Sequence, residues 1–207
     1  MDGVIADSHS FHYAAWRETF AKRRIRFDRE YFSTLLSTRN DFIIHSVMGE
    51  ALSEEEARAM VREKEENFRR KATGNLKPFP GALMLLNAIK KGNFKLGLVS
   101  SAPKENIDLI LRELNLERIF DCIVFGREVS ESKPSPQIYL LAAEKLKVVP
   151  NDCLAIEDSP PGVKAAKTAG MKCLAITTTH PWQKLEEADK VVDSLESVDL
   201  ITLLTRV

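Results

Sequence analysis

The chain has 207 residues, of which 44% are hydrophobic, and 30 basic residues balance 30 acidic ones. A chain of this length can bury a real core, either as one domain with a large insertion or as two domains. The zero net charge excludes a global field that attracts nucleic acid or an anionic membrane. No apolar run approaches the ~20 residues of a membrane-spanning helix, so we expect no nucleic-acid partner and no membrane partner.

The opening residues predict an acidic turn, in which Asp2 and Gly3 precede the apolar pair Val4 and Ile5. An Asp-Gly pair is most often an ordinary turn. At the exit of a buried strand the same pair brings a carboxylate to a metal ion or a phosphate group. The turn alone leaves both interpretations open.

From about residue 8 to residue 77 the sequence predicts one helix after another and no convincing strand. Ser53 and Glu56 form a capping box ahead of a long charged helix. This block separates the opening turn from the remainder of the chain. We therefore predict an inserted α-helical cap domain over residues 9–77.

From Pro78 onward short apolar runs alternate with amphipathic segments, a pattern typical of a parallel sheet with helices on both faces. Residues 1–8 and 78–207 are therefore predicted to form an α/β core domain. The predicted strands are 94–99, 122–125, 153–156 and 173–177, and the predicted helices are 104–114, 136–146, 162–169 and a last one near 195–204.

The three cysteines, Cys122, Cys153 and Cys173, lie in or beside apolar strand-like runs, and none has a metal-binding spacing to another. An odd number of such thiols favours packed, reduced cysteines over a disulfide framework. We therefore expect a cytoplasmic protein, and the neutral charge and cap architecture suit a monomer.

Polar residues follow the predicted strands where ligands bind in open α/β sheets. Asp2, Glu157 and Asp158 offer oxygen ligands for a hard cation such as Mg²⁺. Ser100 offers a hydroxyl donor, and Lys133 offers a compact positive charge for a phosphoryl oxygen. Each has an ordinary interpretation as a turn, a helix cap or a loop residue. Their recurrence on four strand ends favours a phosphoryl-transfer site.

Four segments carry a specific resemblance: MDGVIADS, GLVSS, SKPSPQIYLLAAEKL and AIEDSPPGVKAAKTAGM. The chain resembles the haloacid dehalogenase superfamily, in the β-phosphoglucomutase-like subgroup with a helical cap. The resemblance implies a Rossmann-like core, Mg²⁺, a small phosphorylated substrate and an aspartyl-phosphate intermediate. One departure is Gln137, where the family usually has Asp.

The family's catalytic loop reads Asp-x-Asp-Gly, with the first Asp as nucleophile and the second as acid/base. Asp2 matches the second Asp and Met1 matches x, so the nucleophile would directly precede Met1. The resemblance puts the first core strand mid-sheet, between the strands that end at Ser100 and at Glu157. We expect that strand and the nucleophile to be missing from this record, and the natural chain to begin several residues earlier.

The resemblance also implies residue roles. Catalysis is expected from Asp2, Ser100 and Lys133, and metal binding from Asp2, Glu157 and Asp158. His12 and Trp16 are one helical turn apart and match positions near the hinge of the cap, although an ordinary amphipathic helix with Trp16 in the cap core is the simpler interpretation. The predicted substrate-binding residues are Gly3, Ser101, Arg39, His12, Trp16 and Lys104.

Three functions stay open from the sequence. The leading prediction is a Mg²⁺-dependent phosphohydrolase of a small phosphorylated metabolite, with a sugar phosphate as the expected substrate. A β-phosphoglucomutase-type mutase is the second, but Leu35 and Leu36 stand where the mutases carry a lysine and a glycine. The third is a form without the nucleophile that binds phosphate but does not turn it over.

Overall fold

The structure is a computed structural model that describes residues 1–49 and 52–198. The chain divides into two compact units. One unit combines Met1–Asp7 with the chain from Leu76 onward, and the other is Ser8–Asn75. Among the described residues, no helix is both long enough and apolar enough to cross a membrane.

The Ser8–Asn75 unit is helical, and an aromatic cluster forms its core. Trp16 and Phe20 are stacked with ring centroids 5.2 Å apart, and Phe20 contacts Phe27 at 4.9 Å. The predicted capping box is present, because Ser53 Oγ accepts the Glu56 N–H at 3.3 Å and Glu56 Oε2 accepts the Ser53 N–H at 3.0 Å. The helices are α1 (His9–Ala21), α2 (Arg29–Thr34), α3 (Asn40–Met48) and α4 (Glu54–Ala72).

The larger unit is an α/β domain, as predicted. Its described strands are β1 (Gly97–Ser100), β2 (Cys122–Phe125), β3 (Leu154–Glu157), β4 (Lys172–Ile176) and β5 (Lys190–Val192). Its described helices are α5 (Ala82–Lys91), α6 (Lys104–Glu113), α7 (Gln137–Leu146) and α8 (Pro160–Thr168). All of the strand pairings are parallel. The α6 crossover joins the parallel strands β1 and β2, and the α8 crossover joins the parallel strands β3 and β4, so the strands of each pair end at the same edge of their sheet.

Most of the last predicted helix, near 195–204, lies outside the described residues. Its first residues, Leu195–Ser197, form a single 3₁₀ turn. β5, which is only three residues long, was not predicted from the sequence. A strand of that length is too short for an apolar pattern, and its pairing with β4 defines it instead.

The described strands form two sheets, β1-β2 and β3-β4-β5, and not one. A cavity of about 430 Å³ separates β1 from β3. Its wall includes Leu98 of β1, Ile156 of β3 and Leu85 of α5, together with Val4 and Ile5 of the opening turn. The slot is therefore largely apolar and is bounded on two sides by strands.

Candidate active site

The opening residues form a tight loop closed by their own backbone. The Met1 carbonyl accepts the N–H groups of Ile5 at 2.8 Å and Ala6 at 3.1 Å, and the Gly3 N–H donates to the Ala6 carbonyl at 3.1 Å. Gly3 has φ +72°, in the left-handed region that glycine adopts without strain. The loop therefore holds Asp2 and Gly3 in a fixed position.

This loop is packed directly against the end of β3. A Cβ on Gly3 would lie 2.0 Å from Asp158 Oδ2 and 2.7 Å from Thr179 Oγ1. The Thr179 hydroxyl donates to Asp158 Oδ2, and the Thr178 hydroxyl donates to the Gly3 carbonyl. The loop, Asp158 and the residues after β4 therefore meet at one place, as the strand-end argument predicted for Asp2, Gly3 and Asp158.

Lys133 and Glu157 form a buried ion pair at the same sheet edge. Lys133 Nζ and the Tyr139 hydroxyl both donate to Glu157 Oε1. Lys133 Nζ also lies 5.1 Å from the centroid of the Tyr139 ring. Glu157 Oε2 accepts the Ser159 hydroxyl at 3.2 Å, and Ser159 caps α8 by accepting the Gly162 N–H at 3.3 Å. Glu157 thus anchors Lys133 to the start of α8.

In the Lys133–Glu157 pair, the positive charge of the lysine compensates the negative charge of the glutamate. Burial raises the pKa of Glu157, but the charge of Lys133 and the hydrogen bonds from Lys133 and Tyr139 outweigh burial, so the pKa lies below its usual value. Burial and the neighbouring Glu157 charge hold the pKa of the Tyr139 hydroxyl well above its usual value. Tyr139 therefore donates to Glu157 as a neutral phenol, and Glu157 is ionised.

The residues after β1 occupy the predicted loop. Ser100 is buried at the end of the strand, and its hydroxyl accepts the Ala102 N–H at 3.2 Å. Ser101 is exposed in the following turn. Lys104 opens α6 and pairs with Asp108 at 2.6 Å on the exposed side of that helix. A substrate contact by Ser101 or Lys104 stays a prediction.

In the helical unit, His12 and Trp16 contact a buried charged group of α4. The His12 ring stacks on Phe68 with centroids 4.0 Å apart, and Lys64 Nζ lies 3.0 Å from His12 Nδ1. Lys64 also lies 5.5 Å from the Trp16 ring and pairs with Glu65 at 2.9 Å. Trp16 is only 1% exposed, so it serves the cap core, and its predicted substrate contact has no support within this unit.

Arg39, the third predicted cap residue, precedes α3 and is largely exposed. Its guanidinium makes a two-point contact with Asp41, with Nε–Oδ1 at 3.1 Å and Nη2–Oδ2 at 2.7 Å. An anion that binds Arg39 must therefore displace Asp41 or share the guanidinium with it. The anion contact stays a prediction.

Sequence reasoning missed Thr178, Thr179, Tyr139 and Lys64. The two threonines follow a predicted strand, so extending the strand-end rule to β4 would have found them. Tyr139 and Lys64 lie at buried positions of predicted helices, and nothing in the sequence distinguishes them from ordinary core residues. Their roles depend on which strand or helix the fold brings alongside.

The donors at this site suit Mg²⁺, which usually takes one or two carboxylates and completes its shell with water and phosphate oxygens. Asp158 and the adjoining Asp2 loop supply such carboxylates. Both Glu157 oxygens already accept hydrogen bonds, so Glu157 suits the positioning of Lys133 better than direct ligation. Within the described residues, no three His, Cys, Asp or Glu side chains are grouped closely enough to hold a metal ion.

Parallel strands that end at a shared polar site, with a helical unit inserted into the chain, define a Rossmann-like α/β protein of the capped type. The family model of haloacid dehalogenase-like hydrolases matches residues 1–176. The chain therefore belongs to the haloacid dehalogenase-like hydrolase family, as the sequence motifs indicated.

Individual relatives include phosphatases and phosphomutases. The chain is 34% identical to a β-phosphoglucomutase from Bacillus subtilis over 87% of this chain and 82% of the relative. It is 33% identical to a phosphorylated carbohydrates phosphatase from Thermotoga maritima over 83% of this chain and 80% of the relative. The crystal structure of CbbY from Rhodobacter sphaeroides in complex with phosphate has a TM-score of 0.86 at 30% identity, and the match covers 95% of this chain and 92% of that chain.

Proposed function

We propose that the protein is a Mg²⁺-dependent phosphohydrolase of a small phosphorylated metabolite, with a sugar phosphate as the substrate class. The observation that carries the proposal is the packing of the Gly3 backbone against Asp158 beside the buried Lys133–Glu157 pair. A lysine, two carboxylates and hydroxyl donors at one sheet edge suit the charge and geometry of a phosphoryl group.

In the proposed reaction an aspartate carboxylate, the nucleophile that the family resemblance implies, attacks phosphorus, and the bond from phosphorus to the substrate oxygen breaks. Asp2 gives its proton to the leaving alcohol. Asp2 then takes a proton from water as that water attacks the aspartyl phosphate, which releases inorganic phosphate and restores the carboxylate. Lys133 neutralises charge on the phosphoryl oxygens, and Ser100 donates a hydrogen bond to one of them.

The cation would be held by Asp158 and Asp2, and it would supply neutralisation of the phosphoryl charge. Glu157 would hold Lys133 in place through their ion pair, in which each side chain compensates the charge of the other. Thr179 orients Asp158 through its hydroxyl, so the carboxylate faces the Gly3 loop in one geometry.

The cap favours hydrolysis over mutase activity. Leu35 and Leu36 stand where the mutases carry a lysine and a glycine, and Leu35 is buried at 6% exposure in the aromatic core of the helical unit. An apolar core residue cannot supply the second cation that would hold a bisphosphate in both orientations. The relatives named for phosphorylated carbohydrates and for β-phosphoglucomutase support a sugar phosphate as substrate. A cytoplasmic monomer stays the expectation from the sequence.

The test is phosphate release from p-nitrophenyl phosphate and from a panel of sugar phosphates, with Mg²⁺ or with EDTA. The enzyme is the chain extended upstream by an apolar strand that ends in Asp. We expect Mg²⁺-dependent turnover that Lys133→Ala and Asp158→Asn each reduce by at least about 100-fold. Lys167→Ala is the matched control, because Lys167 forms an ion pair with Asp189 elsewhere in the same unit. Absence of Mg²⁺-dependent turnover from the extended chain would refute the proposal.

Two further assays separate the alternatives. Incubation with β-glucose 1-phosphate and a bisphosphate primer yields glucose 6-phosphate only from a mutase. Beryllofluoride with Mg²⁺ forms a stable adduct only where the attacking carboxylate is present. A chain that binds phosphate but forms no adduct, while the extended chain does, fits binding without turnover.

A further inference from the structure

Tyr139 is a buried side chain of α7 that the proposed reaction does not use. It is 5% exposed, and its hydroxyl donates to Glu157 Oε1, the same oxygen that accepts a hydrogen bond from Lys133 Nζ. The Lys133 ammonium group also lies 5.1 Å from the centroid of the Tyr139 ring, within the range of a cation–π contact. Tyr139 therefore contacts both members of the ion pair, Glu157 through its hydroxyl and Lys133 through its ring.

The Glu157 carboxylate is held in one place by its neighbours. Its Oε2 accepts the Asp158 N–H at 3.3 Å and the Ser159 hydroxyl at 3.2 Å. A Cβ on Gly162 would lie 2.1 Å from the same oxygen, so the first turn of α8 closes that side. Because Glu157 is fixed in this way, the position of the Lys133 ammonium group depends on how Oε1 is shared between its two donors.

Lys133 keeps hydrogen-bond donors that the protein does not use. An ammonium group has three donors, and within residues 1–49 and 52–198 Lys133 Nζ donates only to Glu157. The Lys133 side chain is 13% exposed, so an anion can still reach it. The remaining donors of Lys133 are therefore available to the oxygens of a phosphoryl group.

The Tyr139 hydroxyl controls how strongly Glu157 holds Lys133. Burial and the neighbouring Glu157 charge keep the pKa of the Tyr139 hydroxyl well above its usual value, so the phenol stays neutral and donates. A donor on Oε1 takes up part of the carboxylate charge. Without that donor, Lys133 would be the sole partner of Oε1, and Glu157 would compete more strongly with phosphate for the ammonium group.

We propose that Tyr139 is a positioning residue for Lys133, whose ammonium group it holds beside Glu157 with donors left for a phosphoryl group. The inference rests on the proposed phosphate chemistry of the site, but its test needs no turnover. Tyr139→Phe keeps the ring and removes the hydroxyl, so it isolates the contribution of the hydrogen bond.

The test measures the affinity of the chain for inorganic phosphate, by calorimetric titration in the presence of Mg²⁺. We expect Tyr139→Phe to weaken phosphate binding about tenfold, as for the loss of one hydrogen bond to a charged group. Lys133→Ala should weaken it at least as much, and Tyr139→Phe should add no further loss to Lys133→Ala, because the hydroxyl acts through the lysine. Tyr31→Phe serves as the control, since it removes a phenol hydroxyl that donates to the Ser46 carbonyl at 3.1 Å in the helical unit.

NMR of isotope-labelled lysine side chains gives a second measurement. The Lys133 ammonium signal, assigned by its loss in Lys133→Ala, should shift in Tyr139→Phe, whereas the signal of Lys167, which pairs with Asp189, should not. In the unmodified chain the Lys133 signal should also shift when phosphate is added.

The outcomes separate this inference from the proposed hydrolysis. Equal weakening of phosphate binding by Tyr139→Phe with and without Lys133 would indicate a merely structural role and would overturn the inference. A Lys133 signal that neither Tyr139→Phe nor phosphate moves would overturn it as well, and so would a chain that binds no phosphate. Phosphate binding with the expected losses, but without turnover by the extended chain, would refute only the proposed hydrolysis.

Discussion

Gly3 occupies a position that no larger residue can take, for two separate reasons. Its φ of +72° strains any residue with a Cβ, and that Cβ would collide with the Asp158 carboxylate. The backbone strain alone is about 1–2 kcal/mol. The collision adds a functional effect, because Asp158 must move away from the loop that carries Asp2.

We expect Gly3→Ala to destabilise the protein by more than this strain and to weaken Mg²⁺ binding. Gly170→Ala is the matched control, because Gly170 has φ +82° in the same unit and, among the described residues, a Cβ there would meet one side-chain atom, Asn151 Oδ1 at 2.9 Å. Urea unfolding gives the stability of both variants, and calorimetric titration gives Mg²⁺ affinity. Equal losses of stability with unchanged Mg²⁺ affinity would contradict the steric account.

Asp189 makes stability depend on pH. Burial raises its pKa, but hydrogen bonds from Lys167 and from the Cys173 N–H at 2.7 Å outweigh burial and bring the pKa below its usual value. The folded state therefore binds the proton less tightly than the unfolded state. The stabilisation is complete above the unfolded pKa of about 3.9 and is lost as the pH falls through the folded pKa.

We expect Asp189→Asn to cost about 1 kcal/mol at pH 7, since the pair is partly exposed. The difference from the unmodified chain should shrink as the pH falls below about 4. Urea unfolding midpoints measured from pH 7 down to pH 3 check this. A difference that is constant over that range would show that the carboxylate charge contributes nothing.

At the scale of elements, α4 buries two adjacent charged residues beside the apolar Met60 and Phe68. Lys64 and Glu65 have side chains that are 4% and 7% exposed, and Asn40 Nδ2 donates to Glu65 Oε1 at 2.8 Å. The two charges compensate each other. A buried pair of this kind often adds little net stability, but removal of one partner leaves an uncompensated charge.

We therefore expect Lys64→Met to destabilise the helical unit by about 3–5 kcal/mol. The double variant Lys64→Met with Glu65→Gln should recover most of the loss, because no lone charge stays buried. Thermal unfolding of both single variants and the double variant measures the coupling. Additive losses would show that the two charges do not depend on each other.

The elements themselves were largely predictable, but their ends and contacts were not. Apolar runs predicted four of the five described strands, yet β1 begins at Gly97 and not at residue 94. Leu96 bonds to Asp121 through both its N–H and its carbonyl, so pairing and not composition decides where the strand starts. Lys133, Glu157 and Asp158 were singled out from the sequence because they follow predicted strands, and their functional roles stay predictions. Tyr139 was missed because only the tertiary fold brings α7 beneath Glu157.

At the scale of the whole molecule, the cavity limits the stability of the α/β unit. Apolar side chains that line a cavity lack packing contacts on one side, which lowers local stability. The cavity of about 430 Å³ lies beside β1 and β3. We therefore expect uneven stability within the unit.

We expect native-state hydrogen exchange to be at least about tenfold faster at β1 and β3 than at β4. All three strands belong to the same unit, but β4 is paired on both sides, by β3 and β5, whereas β1 and β3 each have one partner beside the cavity. The α1 and α4 amides of the helical unit provide a reference that the cavity does not touch. Equal free energies of opening at β1, β3 and β4, measured by hydrogen exchange, would contradict this account. It would mean that the sheets open only when the whole unit unfolds, so that the unpaired edges carry no cost of their own.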